Sequence, residues 1–265
     1  MRIVFSIEYD GSSFCGWQHQ PSGCSIQDVI QKAIEKFTGK TIKITGSSRT
    51  DSGVHASWQI FHFDTNVQRE MNSWVRGVNA FLPTSIKVLG AFKVKEDFHA
   101  RFSAMKRQYN YLLYSSKVSP CLFFNKVGWT WLEIDETKLK EAIKIFIGKQ
   151  DFSSFRSSEC QSKSPVREMF EVNVDKISDS YYIFKFVANS FLHHMIRNII
   201  GSLIYVASGK QSLKWLIDVK NSKNRTLAAP TFSSSGLYLS GVYYEKKWKI
   251  PFNNKDFVFD YFQTI

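Results

Sequence analysis

Residues 2–37 decide the fold class of this chain and read RIVFSIEYDGSSFCGWQHQPSGCSIQDVIQKAIEKF. Residues 2–9 alternate between apolar and other side chains, which predicts a strand. A glycine-rich loop follows, and Ser25 with Asp28 three positions later is typical of a helix N-cap. We expect this helix to end at Gly39 and to bury Ile26, Val29, Ile30, Ala33, Ile34 and Phe37. The chain therefore opens with a strand, a loop and an amphipathic helix.

The rest of the chain continues the same mixture of strands and helices. Strands are predicted over residues 41–45, 58–63, 86–94, 106–114, 166–174, 181–188 and 237–244. Helices are predicted over residues 74–82, 135–148, 191–208 and 212–219. Because both halves have a similar order of elements, we predict an α+β protein with mainly antiparallel sheet in two similar domains, residues 1–104 and 105–265. The boundary lies in the polar, basic segment 95–104.

Composition limits the kind of protein this is. The 35 Lys and Arg residues outnumber 23 Asp and Glu residues, a formal net charge of +12. Such a charge favours a polyanionic partner such as nucleic acid, although a lysine-rich composition alone would also produce it. The four cysteines form no CxxC pair, and neither a signal peptide nor an apolar run of about 20 residues is present. We therefore expect a cytoplasmic protein with reduced cysteines and no membrane span.

The most informative polar segment is SSRTDSGVHA, residues 47–56, between two predicted strands. One interpretation is a structural turn in which Asp51 bonds its own backbone and Gly53 supplies a positive φ. The other is a functional loop that presents Arg49 and Asp51. The pattern alone favours the structural turn.

Two further segments favour the functional interpretation. In RQYNY, residues 107–111, a strand places Arg107, Tyr109 and Tyr111 on one face, where they form a surface for stacking bases and holding phosphates. For Tyr111 a core position is the better interpretation. In NSFLHHMIRNIIG, residues 189–201, helical spacing places His193 and Arg197 on one stripe. A buried arginine needs a carboxylate partner, and Asp51 is the one we choose. The adjacent histidines give only weak support for a metal site, because no carboxylate or third histidine lies nearby at ligand spacing.

The opening loop, YDGSSFCGWQHQP over residues 9–21, pairs glycines with aromatic residues. Two interpretations remain open for it: a tight structural loop between strand and helix, or an RNA-contacting loop.

Taken together, these motifs resemble the TruA family of tRNA pseudouridine synthases. The similarity runs from residue 9 to about residue 244 and rests on YDGxxFxGWQxQ, RTDxGVHA, FHARFSA, RxYxY, DFSSFR, SPVR, FLHHMIRNIIG and GLYL. Their number, order and spacing make the similarity specific.

The resemblance implies two RRM-like α+β domains joined across a basic cleft, and a homodimer that binds the anticodon stem-loop of tRNA. It implies isomerisation of uridines 38, 39 and 40 to pseudouridine without metal or organic cofactor. Matched by motif, Asp51 is the essential aspartate, Tyr109 stacks on the uracil and Arg197 is the basic partner of Asp51. The RNA-contacting residues are Arg49, which helps turn out the target nucleotide, His55, Arg101, Arg107 and His193.

Two other functions remain as alternatives: a non-catalytic RNA-binding protein of the same fold, and a related synthase with other target positions. The tail 245–265 extends past the usual end of the family. Its aromatic residues are predicted to pack on the body or on a dimer partner: Trp248, Phe252, Phe257, Phe259, Tyr261 and Phe262.

Overall fold

The computed structural model describes residues 1–252, which form two compact units. Unit 1 consists of Met1–Lys106 together with residues 238–252, and unit 2 consists of Arg107–Leu237. The domain boundary after residue 104 remains a prediction.

Ten strands occur within residues 1–252: β1 (Arg2–Tyr9), β2 (Thr45–Gly46), β3 (His55–Asp64), β4 (Ile86–Val94), β5 (Ala104–Ser115), β6 (Gly128–Thr130), β7 (Gly148–Asp151), β8 (Val166–Lys176), β9 (Tyr181–Ala188) and β10 (Leu237–Tyr244). The α-helices of the same residues are α1 (Ile26–Thr38), α2 (Met71–Asn79), α3 (Glu136–Ile143), α4 (Met195–Ala207) and α5 (Leu213–Ser222).

Unit 1 is a sheet of order β4-β1-β3-β10, and the short β2 also pairs with β3. β1 runs antiparallel to β3 and β4, whereas β10 is parallel to β3. The core of this unit is aromatic: the Phe5 ring lies 5.4 Å from Phe61, 5.2 Å from Phe63 and 6.2 Å from Trp74, measured between centroids. These edge-on contacts fix β1, β3 and α2 against one another.

Unit 2 is a sheet of order β5-β9-β8-β7, with β6 parallel to β5 and the other pairings antiparallel. α4 is buried on nearly all sides and contacts α3 and α5. A helix that is apolar all round is expected to be surrounded by protein, which matches the MIRNIIGSLIYVA sequence.

These features confirm the predicted α+β class with mainly antiparallel sheet. Several predicted elements differ in extent. The helix predicted over residues 74–82 lies at Met71–Asn79, and the one predicted over residues 135–148 ends at Ile143. The strand predicted over residues 41–45 is reduced to Thr45–Gly46, and the helix predicted over residues 191–208 begins only at Met195. His194 has a φ of 60°, in the left-handed region, so the residues before Met195 cannot continue the helix. His193 therefore does not share a helical stripe with Arg197.

The start of the aromatic tail packs within unit 1. The ring of Trp248 lies 5.2 Å from Phe98, and Phe252 stacks on Tyr243 at 4.3 Å. The other four aromatic residues of that prediction, Phe257, Phe259, Tyr261 and Phe262, lie outside the described residues. Among the helices of residues 1–252, none is long and apolar enough to cross a membrane.

Candidate active site

The Asp51 loop, residues 46–54, is held on both sides of Asp51 by the opening loop. The backbone N–H of Trp17 donates to the carbonyl of Thr50 (3.0 Å), and the Ser52 hydroxyl donates to the carbonyl of Phe14 (3.1 Å). The hydroxyls of Tyr9 and Thr50 lie 2.9 Å apart. Because the residues before and after Asp51 are both bonded to the opening loop, the position of Asp51 depends on that loop.

The two loops also touch at a glycine. Gly16 has a φ of +88°, and a Cβ built on it would lie 2.7 Å from the carbonyl oxygen of Thr50 and 3.1 Å from the carbonyl carbon of Asp51. Within the Asp51 loop, Gly53 has the predicted positive φ, +77°, and the Val54 N–H closes the turn on the Asp51 carbonyl (3.2 Å). The opening loop therefore has a structural role, and it supports the Asp51 loop in addition to joining strand and helix. The RNA-contacting role remains a prediction.

A disulfide corrects the expectation of reduced cysteines. Cys15 and Cys24 are bonded, with Cα atoms 5.6 Å apart. The Gly23 N–H donates to the carbonyl of Gln20 (2.9 Å), and this turn brings the two cysteines together. The sequence analysis did not predict this disulfide, because the two cysteines are nine residues apart and do not form a CxxC pair. Only the folded turn brings their side chains within bonding distance.

Behind the Asp51 loop, His55 and Tyr238 form a buried stack. Their rings lie 4.6 Å apart, and His55 Nδ1 accepts the N–H of Gly11 (3.1 Å). Burial raises the pKa of the Tyr238 hydroxyl. His55 was assigned to RNA contact, but at 2% exposure its side chain supports the opening loop from inside unit 1. Its RNA contact remains a prediction.

The other two predicted residues of this loop are less buried than His55. Arg49 is exposed and Asp51 is half-buried, so the loop presents a guanidinium and a carboxylate at the surface of unit 1. A rigid loop that presents one half-buried carboxylate has the form of a catalytic position.

A second surface feature of unit 1 is the Arg101 turn, residues 98–103. It is anchored to the sheet at Ala100, whose N–H donates to His62 Nδ1 (3.2 Å) and whose carbonyl accepts the Tyr244 hydroxyl (2.6 Å). Arg2 donates to the carbonyl of Phe98 (2.7 Å). Since Arg2, His62 and Tyr244 belong to β1, β3 and β10, three strands fix the turn.

His62 must be neutral to accept this hydrogen bond. Burial, and after it the charges of Arg2 and His99, lower the pKa of His62 from 6.5 to about 4. The pKa of His99 is lowered by burial and by Arg2. Both imidazoles therefore stay neutral near pH 7.

The lowered pKa of His62 predicts acid sensitivity of unit 1. The unfolded chain binds a proton at this residue below about pH 6.5 and the folded chain only below about pH 4, so stability falls as the pH drops through that window. We expect a loss of about 1–3 kcal/mol, read from urea unfolding between pH 7 and pH 4. His62→Asn retains an acceptor without titrating and should flatten part of this dependence. An equally steep loss in the variant would contradict the assignment.

In unit 2, the predicted stacking strand is β5. Arg107 donates from its guanidinium to the carbonyl of Asn189 (2.9 Å), and the Tyr109 ring lies 5.1 Å from Phe191 in an edge-on contact. Tyr111 is fully buried and donates its hydroxyl to the carbonyl of Ser233 (2.8 Å), which confirms its predicted core position. Arg107 and Tyr109 are thus oriented by the segment that precedes α4.

Arg197 is held in the first turns of α4. Its Nε donates to the carbonyl of Phe232 (2.8 Å), and the Phe232 N–H donates back to the carbonyl of Arg197 (3.2 Å). This pair orients the guanidinium. His193 lies just before α4, with its ring 3.9 Å from that of His194, and its carbonyl accepts the N–H of Ser157 (3.0 Å).

Our sequence interpretation missed one buried polar residue, Asn198. Its side chain donates to the carbonyl of Phe155 (2.8 Å) and accepts from Thr231 (2.7 Å) and Arg225 (3.0 Å). Asn198 thereby ties the DFSSFR segment, the turn after α5 and the chain before β10 to α4. The signal was present, because an asparagine within an apolar helix must find partners when it is buried.

Comparison with known proteins decides the family. The profile of the family described as tRNA pseudouridine synthase matches residues 6–103 and 142–245. The chain belongs to this family of tRNA pseudouridine synthases. Family membership makes it an isomerase that converts uridine to pseudouridine.

Individual relatives agree with this assignment. The chain is 46% identical over 251 residues to tRNA pseudouridine synthase A of Nitrosomonas eutropha, covering 95% of this chain and 90% of the relative. It is 48% identical over 254 residues to the protein of the same name from Herminiimonas arsenicoxydans, covering 94% and 92%. Among solved structures, a Cbf5–Nop10–Gar1 complex matches 77% of this chain and 44% of that chain at 13% identity and a TM-score of 0.37. At that score the structural match supports no conclusion about this synthase.

Proposed function

We propose that this synthase isomerises uridines 38, 39 and 40 in the anticodon stem-loop of tRNA, with Asp51 as the catalytic carboxylate. The observation that carries the assignment of Asp51 is its loop, in which the opening loop bonds the residues on both sides of a half-buried carboxylate. A reaction that uses neither metal nor organic cofactor depends on a catalytic carboxylate whose position is fixed before the substrate binds.

The reaction explains why a carboxylate suffices. The N1–C1′ bond breaks, the uracil rotates while it remains bound, and a C5–C1′ bond forms. Uracil is a feasible leaving group because its anion is delocalised, so the proposal includes neither metal nor organic cofactor. Asp51 acts in one of two ways: as the nucleophile at the sugar or the ring, or as the base that removes a ribose proton.

The remaining predicted residues have supporting roles in the proposal. A base within a stem must leave its stack before it reacts, which costs a few kcal/mol. Tyr109 stacks on the extruded uracil, and Arg49 helps to turn it out. Arg197 is the cationic partner of the Asp51 carboxylate in the proposal, and the bond from its Nε to the carbonyl of Phe232 supports this role by orienting the guanidinium.

Four residues complete the proposed RNA contact: His55, Arg101, Arg107 and His193. The net charge of +12 supports a polyanionic substrate, and the resemblance to the TruA family implies a basic cleft that receives it. The cytoplasmic location that the sequence predicts also belongs to the proposal.

The function is tested with tRNA that carries tritium at C5 of its uridines. C5 loses its hydrogen when it bonds to C1′, so wild-type protein should release the label, whereas a non-catalytic RNA-binding protein would release none. Mapping of pseudouridine in tRNA from a deletion strain identifies the target positions. Loss of the modification at positions other than 38, 39 and 40 would favour the related synthase with different targets.

The proposal includes a homodimer, and exposed apolar side chains of unit 2 support it. Large apolar side chains are exposed in a sequence cluster within residues 118–131 of unit 2: Val118, Leu122, Phe124, Trp129 and Trp131. An exposed apolar cluster of this kind is typical of a protein interface. A second copy of the chain is the partner that the family resemblance indicates.

We expect sedimentation equilibrium at micromolar concentration to give twice the mass of the chain. Trp131→Glu should shift the protein to monomer, because a charge would be buried without a partner. Leu227→Glu places the same charge on an exposed apolar side chain outside the cluster and should leave the mass unchanged. A monomeric wild-type protein would refute the dimer.

A further inference from the structure

The feature that carries a further inference is Phe102, whose side chain is 76% exposed at the tip of the Arg101 turn. A single exposed phenylalanine is ordinary and needs no explanation. Phe102 differs because every backbone N–H group of its turn, residues 98–103, donates a hydrogen bond.

The turn is closed by its own side chains. His99 Nδ1 accepts the backbone N–H groups of Arg101 (3.1 Å) and Phe102 (3.2 Å), and the His99 N–H donates to the Ser103 hydroxyl (3.0 Å). The Ser103 N–H returns to the His99 carbonyl (2.8 Å). The imidazole can accept two N–H groups only while Nδ1 is unprotonated, which agrees with the lowered pKa of His99. The backbone at Phe102 is thus fixed before any ligand arrives.

The phenyl ring is also held in place. Its centroid lies 4.3 Å from that of the His99 imidazole, so one part of the ring packs against the turn while most of it faces solvent. The guanidinium carbon of Arg101 lies 5.7 Å from the centroid of the same ring. With both imidazoles neutral, Arg101 is the cation of the turn itself.

A fixed phenyl ring beside a cation matches the chemistry of one nucleotide. The ring offers a face for a base, and the guanidinium can pair with a phosphate one step along the backbone. A base inside a helix has no free face, so the partner is an unpaired base, as in the loop of a stem-loop.

We propose that Phe102 is a positioning residue that stacks on an unpaired base of the RNA substrate while Arg101 contacts the neighbouring phosphate. This inference rests on the proposed function, since it needs an RNA substrate. In this proposal Phe102 binds and orients the RNA. It takes no part in breaking the N1–C1′ bond or in forming the C5–C1′ bond.

The test compares Phe102→Ala, Phe102→Leu and Phe102→Tyr. Base–aromatic stacking predicts that Phe102→Ala and Phe102→Leu weaken tRNA affinity about tenfold or more, whereas Phe102→Tyr retains it. KM should rise by a similar factor while kcat at saturation stays within about threefold. Phe81→Ala is the matched control, because Phe81 is an exposed phenylalanine of unit 1 (47%) outside the turn and should change neither quantity.

A fluorescence measurement gives a direct readout of stacking. Phe102→Trp should bind normally and lose additional emission when tRNA is added, compared with Phe81→Trp. An unchanged affinity in Phe102→Ala, or equal affinity of the leucine and tyrosine variants, would overturn the proposal. Tritium release by the wild-type protein on the same tRNA separates the stacking role from the proposed function. If the wild type releases tritium and Phe102→Ala binds tRNA normally, only the stacking role is refuted. If the wild type releases no tritium, the proposed function is refuted.

Discussion

Asp51→Asn is expected to reduce tritium release from C5-labelled tRNA by about a thousandfold or more, as is typical when a reacting group is removed. Asparagine has nearly the shape of aspartate. The hydrogen bonds from the Trp17 N–H to the Thr50 carbonyl and from the Ser52 hydroxyl to the Phe14 carbonyl should therefore persist. What is lost is the negative charge, and an amide serves neither as nucleophile nor as base at this position. Affinity for tRNA should stay within about threefold, because binding depends mainly on phosphates and stacked bases.

Asp179→Asn is the matched control for this change. Asp179 is fully exposed in the loop between β8 and β9, and its substitution removes the same charge from the protein. It should leave turnover and affinity unaltered. Full activity of Asp51→Asn would remove Asp51 from the mechanism, and equal losses in both variants would show that the effect is one of overall charge.

Gly16→Ala is expected to have the second-largest effect, a fall in turnover of about tenfold to a hundredfold with lower thermal stability. Two costs combine. The φ of +88° disfavours any L side chain by about 1–2 kcal/mol, and the new Cβ would lie 2.7 Å from the Thr50 carbonyl oxygen. That neighbour is backbone and cannot rotate away, so the Asp51 loop must move. Tritium release and a thermal unfolding curve measure the two consequences.

Gly23→Ala separates these two costs. Gly23 lies in the same loop with a φ of +70°, but its added Cβ would meet only the flexible end of Lys32, at 3.4 Å. It should lose stability through φ and keep its turnover. If both variants lost turnover equally, contact between Gly16 and the Asp51 loop would not be what positions Asp51.

Local sequence signals succeeded where the physical cause was local. Ser25 and Asp28 form the predicted capping box, and α1 ends where Gly39 adopts its left-handed conformation. Tyr111 is buried, as its interpretation as an ordinary core tyrosine predicted. The residues that fix the two ends of α1 lie within a few positions of those ends. For Tyr111, the cause is the favourable transfer of an aromatic ring out of water.

The sequence patterns were less successful where the structure depends on residues distant in the chain. The strand predicted over residues 41–45 is largely absent, and His194 stops the helix that apolar periodicity extended back to Phe191. The stack of His55 on Tyr238 joins residues far apart in the chain, so no local pattern could separate a buried supporting histidine from one that contacts RNA.

By itself, the sequence determined the α+β class, the core strands and the family, because spacing of apolar residues and several ordered motifs are properties of the chain alone. Only the tertiary structure decided how Asp51 is held, that Cys15 meets Cys24, and that Phe102 stands on a fixed turn. Each of these depends on which backbone N–H and carbonyl groups become neighbours after folding, and buried polar groups must find those partners in space.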